Sequence, residues 1–445
     1  MRILAEAFAC RPNAGSETGF GWHYPLEFAR RGHDVTVVTT ERWRVEIEEA
    51  ATGEGASPAP RFVFVPRRTW PLKIGLGWTV GSAIQYVIWL WEAAREARKL
   101  HDRCPFDVLH HVTYGSLLGG TFLWRVAGRR RSAALVLGPL GGGQTAPRAL
   151  ADVFGSAWRV EMLRSVVVRR LWCLARHAVI ASRRASVVLC TNRETAVLAR
   201  RMGARRIERV LDVTIPAGFA PDAAPERGGR EGTLTLLWLG RIMPRKALPL
   251  AVMALERVQG HLRGAGGRGG SGPAEEEGAS PKIRLEIVGG GVDEETEAEF
   301  RAWLATRPGR GSVTMTGPVT FGEVGAAYER ADIFVFPSLR ESTGNQLLEA
   351  MAYGLPVVCL DHHGARELVT DDAGVRVPVT DVEGTVEGLA CAIAGLALDP
   401  ERRRRMGAAA RAAAREYTWD AKAETLLRVL ENVVAAATTQ RTGVS

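Results

Sequence analysis

The sequence predicts an α/β protein made of two doubly wound parallel sheets. Short apolar runs rich in β-branched residues alternate with longer helical stretches, which is typical of βαβ units. This alternation restarts after a stretch rich in proline and glycine. The chain of 445 residues is also too long for one ordinary hydrophobic core and suits two domains of roughly 200 residues each.

Seven apolar runs in the first half are predicted as strands. They span residues 2–8, 34–39, 61–66, 107–112, 134–137, 186–191 and 208–213. Residues 20–31 are predicted as a helix that ends at Gly32, because glycine readily adopts the left-handed conformation that stops a helix. These elements form a predicted N-terminal domain of residues 1–217.

Five further runs follow a predicted linker at residues 218–232. They span residues 234–239, 284–288, 313–316, 332–336 and 357–360, within a predicted C-terminal domain of residues 233–417. Residues 264–280 are rich in glycine and then acidic, so we expect a flexible insert that buries too little apolar surface to order itself. A last helix at about residues 418–436 has no strand after it and is expected to join the N-terminal domain.

The net charge of +9 comes almost entirely from arginine, since the chain has only five lysines. A basic surface attracts phosphates, anionic lipid headgroups or nucleic acid. Arginine clusters at residues 129–131, 169–170 and 183–184 fit a patch on an anionic membrane, with solvated surface arginines as the alternative. Residues 74–91 are apolar, but we interpret them as a buried or interfacial helix rather than a membrane span. No nucleic-acid partner is predicted.

The six cysteines are scattered without CxxC spacing and are interpreted as reduced core residues. The N-terminus lacks the features of a secretion signal, so we expect a cytoplasmic protein, with a position at the inner face of the membrane left open. Neither a DxD pair in a suitable loop nor a cluster of His, Cys and carboxylate residues is evident, so no metal site is predicted.

The most specific motif follows the predicted strand 332–336. A loop holds Glu341 and Gly344, a helix opens near Asn345, and Glu349 lies one turn inside that helix. The amides of Thr343, Gly344 and Asn345 point out of the helix N-terminus, where they and the helix dipole can hold a phosphate. Glu349 can hydrogen-bond a ribose diol, while Glu341 lies where a sugar would extend from a diphosphate. The alternative is a capped helix with two solvated glutamates.

The frame of this motif resembles a known family. Two glutamates eight positions apart, followed by Gly-x-Pro-Val-Val and a strand, are similar to the glutamate pair of retaining glycosyltransferases of the GT-B fold, particularly glycosyltransferase family 4, the glycosyl transferases group 1. The resemblance spans nearly the whole chain. It implies two Rossmann-like domains that face each other across a cleft, with a nucleotide-sugar donor held mainly by the C-terminal domain.

A second motif, Gly240-Arg-Ile-Met-Pro-Arg-Lys246, directly follows the predicted strand 234–239. It resembles the Gly-Arg...Lys motif of the same family, which implies that Arg241 and Lys246 neutralise the donor diphosphate. A site without a metal must offset about two negative charges and the charge that develops on the leaving group. In a chain so poor in lysine, Lys246 is the better candidate. The alternative is an Arg-Lys pair that lies on the surface and binds no ligand.

A third motif follows the first strand. Its glycines, Gly15, Gly19 and Gly21, do not have GxGxxG spacing, which disfavours a dinucleotide site. The loop is similar to the glycine loop of the same transferases, and Gly15 is the position implied to approach the diphosphate from across the cleft. A tight turn without a ligand is the alternative.

A fourth motif, Asp107-Val-Leu-His110-His111, ends a predicted strand. The family pattern is Asp-x-x-His-x-His, with the later histidine near the reactive carbon, but this chain has Val112 at that later position. Which histidine faces the sugar therefore stays open. We favour His111 over His110, and a structural imidazole is the alternative.

The resemblance implies an enzyme that moves a hexose-type sugar from a nucleotide diphosphate donor to an acceptor hydroxyl, with retention of the anomeric configuration. Saccharide or lipid-linked acceptors are expected, in polysaccharide, glycolipid or other glycoconjugate synthesis. No cofactor is expected beyond the nucleotide sugar, which is a co-substrate. A nucleotide-sugar epimerase and a non-catalytic basic membrane-surface module are the alternatives.

The predicted catalytic residues are Glu341, His111, His110, Arg241 and Lys246. The predicted donor-binding residues are Gly15, Gly240, Arg241, Lys246, Thr343, Gly344, Asn345 and Glu349.

Overall fold

The computed structural model describes residues 1–12, 14–53, 58–66, 78–128, 133–223, 225, 232–266, 281–320 and 322–442. The chain forms two compact units. The first comprises Met1–Gln144, Val166–Thr214 and Thr418–Ser445, and the second comprises Thr145–Ser165 and Ile215–Tyr417.

Each unit contains one parallel sheet. The strands of the first sheet are β1 Arg2–Ala7, β2 Asp34–Thr40, β3 Arg61–Val65, β4 Val108–Thr113, β5 Ala134–Leu140, β6 Val187–Cys190 and β7 Ile207–Arg209. Those of the second are β8 Thr233–Leu239, β9 Lys282–Val288, β10 Val313–Gly317, β11 Ile333–Phe336, β12 Val357–Leu360 and β13 Gly374–Val377. The first sheet has the order β3-β2-β1-β4-β5-β6-β7 and the second has the order β10-β9-β8-β11-β12-β13.

Helices lie between most of the strands, as doubly wound sheets require. In chain order they are α1 Ser16–Arg30, α2 Arg44–Thr52, α3 Trp78–Arg103, α4 Trp124–Ala127, α5 Ala151–Phe154, α6 Trp158–Val166, α7 Arg176–Arg184 and α8 Arg193–Arg201. They continue with α9 Leu248–Gly266, α10 Glu294–Ala305, α11 Val324–Arg330, α12 Asn345–Ala352, α13 His363–Leu368, α14 Val382–Leu398, α15 Pro400–Ala414 and α16 Trp419–Thr442.

The twelve predicted strands are all present, with ends that shift by a few residues. Central strands such as β4 and β12 are buried along their whole length, which explains why they appear in the sequence as continuous apolar runs. The prediction missed β13, the last strand at one edge of the second sheet. Its four residues include Arg376, which pairs with Asp371, so the apolar signal is too short and too interrupted to recognise.

One segment differs from the predicted N-terminal domain of residues 1–217. Residues 145–165 belong to the second unit, because Leu150 and Phe154 are buried in the same apolar core as Leu248. The predicted insert at 264–280 lies mostly outside the described residues, since the description of α9 ends at Gly266. The described part of the predicted apolar segment 74–91 lies in α3, which begins at Trp78.

The C-terminal helix α16 belongs to the first unit. Trp419 at its start stacks on His23 with ring centroids 4.3 Å apart and meets Phe20 edge to face. Leu426 and Leu430 of the same helix are fully buried in the core that α1 also lines. No helix among the described residues is both long enough and apolar enough to span a bilayer.

The cysteines only partly match the prediction. Cys10, Cys190 and Cys359 are buried, whereas Cys104, Cys173 and Cys391 are exposed, and all six are free thiols. Core packing therefore accounts for three of the six cysteines.

Candidate functional site

The loops that follow β8 and β9 are held close together at the carboxyl edge of the second sheet. Gly240 has φ +152°, and its amide donates to Val288 O at 3.0 Å. A Cβ at Gly289 would lie 2.0 Å from Gly240 O, so only glycine permits this approach. The chain then enters a 3₁₀ turn at Pro244–Lys246. This backbone geometry fixes the position of the Lys246 Cα, from which the side chain extends.

Lys246 is buried, with 4% of its surface exposed. Its Nζ lies 2.6 Å from Glu341 Oε1 and 5.2 Å from the centroid of the Phe336 ring. The Arg245 guanidinium pairs with the other carboxylate oxygen, Glu341 Oε2. Leu339 N also donates to Arg245 O at 2.8 Å, which ties the loop after β8 to the loop after β11. The two motifs recognised in the sequence thus meet in one ion cluster.

Burial and charge act in opposite directions within this cluster. Burial lowers the pKa of Lys246 below its ordinary value, although the Glu341 carboxylate works against that shift. Burial alone would raise the pKa of Glu341, but the charges of Lys246 and Arg245 outweigh it and hold that pKa below its ordinary value. When all three groups are ionised the cluster carries one net positive charge, which suits an anionic ligand.

The structure brings Arg245, rather than Arg241, to Glu341. Arg241 is exposed just after Gly240, and no ion pair of its side chain is found in the part of the chain that the structure describes. The sequence offered a signal for Arg245, since it directly precedes Lys246 in the same turn. Arg340 is also held nearby in the second unit, where its Nε donates to Glu161 Oε2 at 2.9 Å.

The N-terminus of α12 lies next to this cluster in the chain. Gly344 precedes the helix with φ +102°, and a Cβ there would lie 2.9 Å from Phe336 Cζ. Thr343 is fully buried, and its Oγ1 has no hydrogen-bond partner among the described residues. A Cβ at Gly364 would lie 1.9 Å from Ser342 O. The start of α13 therefore presses against the loop that leads into α12 and restricts its position.

Asn345 begins α12, and Glu349 lies one turn later. One oxygen of Glu349 accepts a hydrogen bond from Tyr328 Oη at 2.8 Å. Burial raises the pKa of Glu349, and the Tyr328 hydrogen bond and the Lys246 charge only partly offset that effect. The structure therefore shows a half-buried carboxyl group positioned by Tyr328, not the solvated glutamate of the alternative interpretation.

In the first unit, Gly15 is exposed and directly precedes α1 with extended backbone. The neighbouring Glu17 was not predicted as a site residue. Its carboxylate accepts a hydrogen bond from the Gly115 amide, and burial raises its pKa to about 7. An acidic residue in the first turn of a helix is common, so the sequence carried no signal for this carboxyl group.

The two predicted histidines are fully buried in β4. His110 Nε2 lies 2.6 Å from Gly138 O, and burial lowers the pKa of this histidine to about 4. His111 Nδ1 lies 2.6 Å from Glu6 Oε2, and its Nε2 lies 3.2 Å from Tyr114 O. The parallel register sets Glu6 of β1 beside His111. Both nitrogens of His111 thus have protein partners, which fits the alternative of a structural imidazole.

Most of the second unit matches a known protein family. Residues 222–413 match the family described as glycosyl transferases group 1. A D-inositol 3-phosphate glycosyltransferase of Kineococcus radiotolerans is 32% identical in an alignment 262 residues long, which covers 52% of this chain and 53% of that protein. A phosphatidyl-myo-inositol mannosyltransferase of Mycolicibacterium smegmatis is 32% identical over 225 residues, 49% of this chain and 50% of that protein. The chain spans about half the length of these curated relatives.

Solved structures match over almost the whole chain. A sucrose-phosphate synthase from Thermosynechococcus elongatus has a TM-score of 0.65 at 17% identity and covers 98% of this chain and 100% of its own. Anabaena HepE, solved in complex with UDP-glucose, has a TM-score of 0.58 at 14% identity and covers 97% of this chain and 100% of its own. The chain therefore has the GT-B fold, with two Rossmann-like units, and its residues 222–413 are similar to the family of glycosyl transferases group 1.

Proposed function

We propose that the protein is a retaining glycosyltransferase that moves a hexose-type sugar from a nucleotide diphosphate donor to an acceptor hydroxyl. One observation carries the proposal: buried Lys246 lies 2.6 Å from Glu341 in the cluster that precedes the N-terminus of α12. A buried ammonium, a guanidinium and free helix amides together suit a pyrophosphate. The matched relatives are named as glycosyltransferases, and HepE was solved with UDP-glucose.

The proposed reaction breaks the bond between the anomeric carbon and the phosphate oxygen and forms a bond to the acceptor oxygen on the same face. The nucleotide diphosphate leaves with the bonding electron pair, and its phosphate oxygen takes the acceptor proton. Lys246 and Arg245 stabilise the charge on the leaving group. Glu341 positions the two cations and the sugar hydroxyls. No protein nucleophile takes part in the proposed reaction.

The other predicted residues keep their roles as proposals. The amides of Thr343, Gly344 and Asn345 bind phosphate oxygens, Gly240 lets the backbone approach the diphosphate, and Glu349 binds the ribose. Gly15 and Arg241 are proposed to contact the donor. We propose that His111, with His110 behind it, acts near the sugar. Because His111 is paired with Glu6, its proposed role is to position the sugar.

The experiment is a donor panel with an acceptor screen, using the full chain. Thermal-shift measurements against nucleotide sugars identify the donor, and NMR of the product reports the anomeric configuration. We expect stabilisation by a single class of nucleotide diphosphate sugar, a product with the donor's anomeric configuration, and turnover that survives EDTA. Inversion at the anomeric carbon, or conversion of the donor to an epimer without an acceptor, would contradict the proposal.

We also propose that the first unit contacts an anionic membrane, which fits a lipid-linked acceptor and a cytoplasmic location at the inner face. Residues 166–174 expose Val166, Val167, Leu171 and Leu174, the last at 73%. The exposed Arg170 lies within the same stretch. Apolar side chains interleaved with arginine favour the interface of an anionic bilayer.

Sedimentation with vesicles of phosphatidylglycerol and phosphatidylcholine tests this contact. We expect the protein to bind these vesicles, to bind phosphatidylcholine alone weakly, and to lose binding in Leu174→Glu. Leu398→Glu, at an exposed leucine of the second unit, is the matched control and should bind normally. Equal binding by both variants would contradict the assignment of the contact to residues 166–174.

A further inference from the structure

Two helices on the second sheet bring three metal-ligand side chains together. His261 lies on α9, whereas Glu387 and Cys391 lie one turn apart on α14. His261 Nε2 is 2.9 Å from Glu387 Oε1 and 3.9 Å from Cys391 Sγ. Cys391 Sγ is 3.6 Å from Glu387 Oε1. None of the three residues belongs to the candidate donor site, and the sequence analysis predicted no such cluster.

These separations match those between the ligands of a tetrahedral zinc ion. With bond lengths of about 2.0 Å to oxygen or nitrogen and 2.3 Å to sulfur, tetrahedral ligand atoms lie ~3.3–3.6 Å apart. The three observed distances of 2.9, 3.6 and 3.9 Å differ from that range by at most about 0.4 Å. Small rotations of side chains suffice to reach the tetrahedral geometry.

The Glu387 carboxylate is already oriented by a fourth residue. Arg257, one turn before His261 on α9, donates to Glu387 Oε2 at 3.2 Å and also pairs with Glu383. Glu387 Oε1 is the oxygen that faces His261 and Cys391. Residues that hold a ligand in this way are common around metal sites, because they fix its orientation before the ion binds.

We propose that His261, Glu387 and Cys391 form a zinc site that clamps α9 to α14, with water as the fourth ligand. The ligand set determines the metal class, since imidazole with thiolate favours Zn²⁺ over Mg²⁺ or Ca²⁺. Binding releases the thiol proton of Cys391 to solvent. The site is half-exposed, so an ion can enter from solvent. It joins two helices, and the donor chemistry proposed above does not depend on it.

Cobalt substitution of the full chain, prepared without a histidine tag, provides a direct test. Co²⁺ bound through a thiolate gives a charge-transfer absorption that Co²⁺ bound to oxygen and nitrogen alone does not give. We expect one equivalent of Co²⁺ to produce this band and one equivalent of Zn²⁺ to abolish it. Competition with a chromophoric chelator measures the Zn²⁺ affinity, and melting curves report the stabilisation.

Two variants and two matched controls complete the test. Cys391→Ser and His261→Gln should lose the band, and their Zn²⁺ affinity should fall by at least about tenfold. Cys173→Ser removes another exposed thiol, and Glu383→Gln removes only a partner of Arg257, so both should bind as the wild type does. Melting in EDTA checks that each variant is folded. Absence of the band in the folded wild type, or its survival in Cys391→Ser, would overturn the proposal.

Discussion

Among single residues, the proposed chemistry depends on the ammonium group of Lys246, which is buried away from water. A buried charge is tolerated only with a partner, and Glu341 is that partner for Lys246. We expect Lys246→Met to lower kcat by about 10²- to 10³-fold, because the leaving group loses one stabilising charge. Steady-state kinetics with the identified donor measures this effect.

The matched control is Lys282→Met, which alters an exposed lysine at the start of β9 and should retain full activity. Circular dichroism must show both variants folded. Equal turnover in the two variants would rule out the proposed role of Lys246.

Glu349 gives a second prediction for a single residue. Its carboxyl group is positioned by Tyr328, and a hydrogen bond to a charged group contributes about 1.5–3 kcal/mol, so Glu349→Gln should raise the donor KM by roughly tenfold or more. The kcat should change less, since the ribose is remote from the breaking bond. Glu329→Gln, at an exposed position on α11, is the control. A change in kcat alone would contradict ribose binding.

Among the elements, the contact between α13 and the loop before α12 decides where the helix amides point. A methyl group at Gly364 would lie 1.9 Å from Ser342 O and 2.3 Å from Thr343 Cα, so the loop must move in Gly364→Ala. Overpacking of this kind typically costs about 1–3 kcal/mol of stability. We expect a lower Tm and weaker donor binding, measured by melting curves and titration calorimetry.

Gly311→Ala is the matched control for this element, because a Cβ at Gly311 meets nothing within 4 Å. It should bind the donor as the wild type does. A Gly364→Ala protein with normal donor affinity would show that the loop position does not control binding.

For the whole molecule, buried histidines make stability depend on pH. Burial lowers the pKa of His23 and of His110 to about 4 in the first unit, and the pKa of His363 to about 2 in the second. The unfolded chain takes up these protons near pH 6.5, whereas the folded chain does not. Each histidine therefore lowers the free energy of unfolding by up to about 1.4 kcal/mol per pH unit below pH 6.5.

Urea unfolding between pH 8 and pH 5 measures this dependence. The stability from these histidines is fully present above pH 6.5, and for His23 and His110 the loss continues as the pH falls toward their folded pKa of about 4. His110→Gln should make the decline in the first unit less steep. A stability that does not change between pH 7 and pH 5 would contradict the prediction.

Local patterns in the sequence determined most of the fold. Central strands such as β4, β5 and β12 were recognised because a strand buried on both faces requires a continuous apolar run, which short windows of sequence reveal. The loop and helix around Glu341 and Gly344 were recognised for a similar reason, since strand, turn and helix signals follow one another within about fifteen residues.

Only the tertiary structure decided which side chains meet. It brought Arg245 to Glu341, assigned residues 145–165 to the second unit, and joined His261 to Cys391 across two helices. It also buried both nitrogens of His111 against protein partners. Such contacts join residues far apart in the chain, and their distances depend on sheet register and helix packing, which no local pattern of residue types encodes.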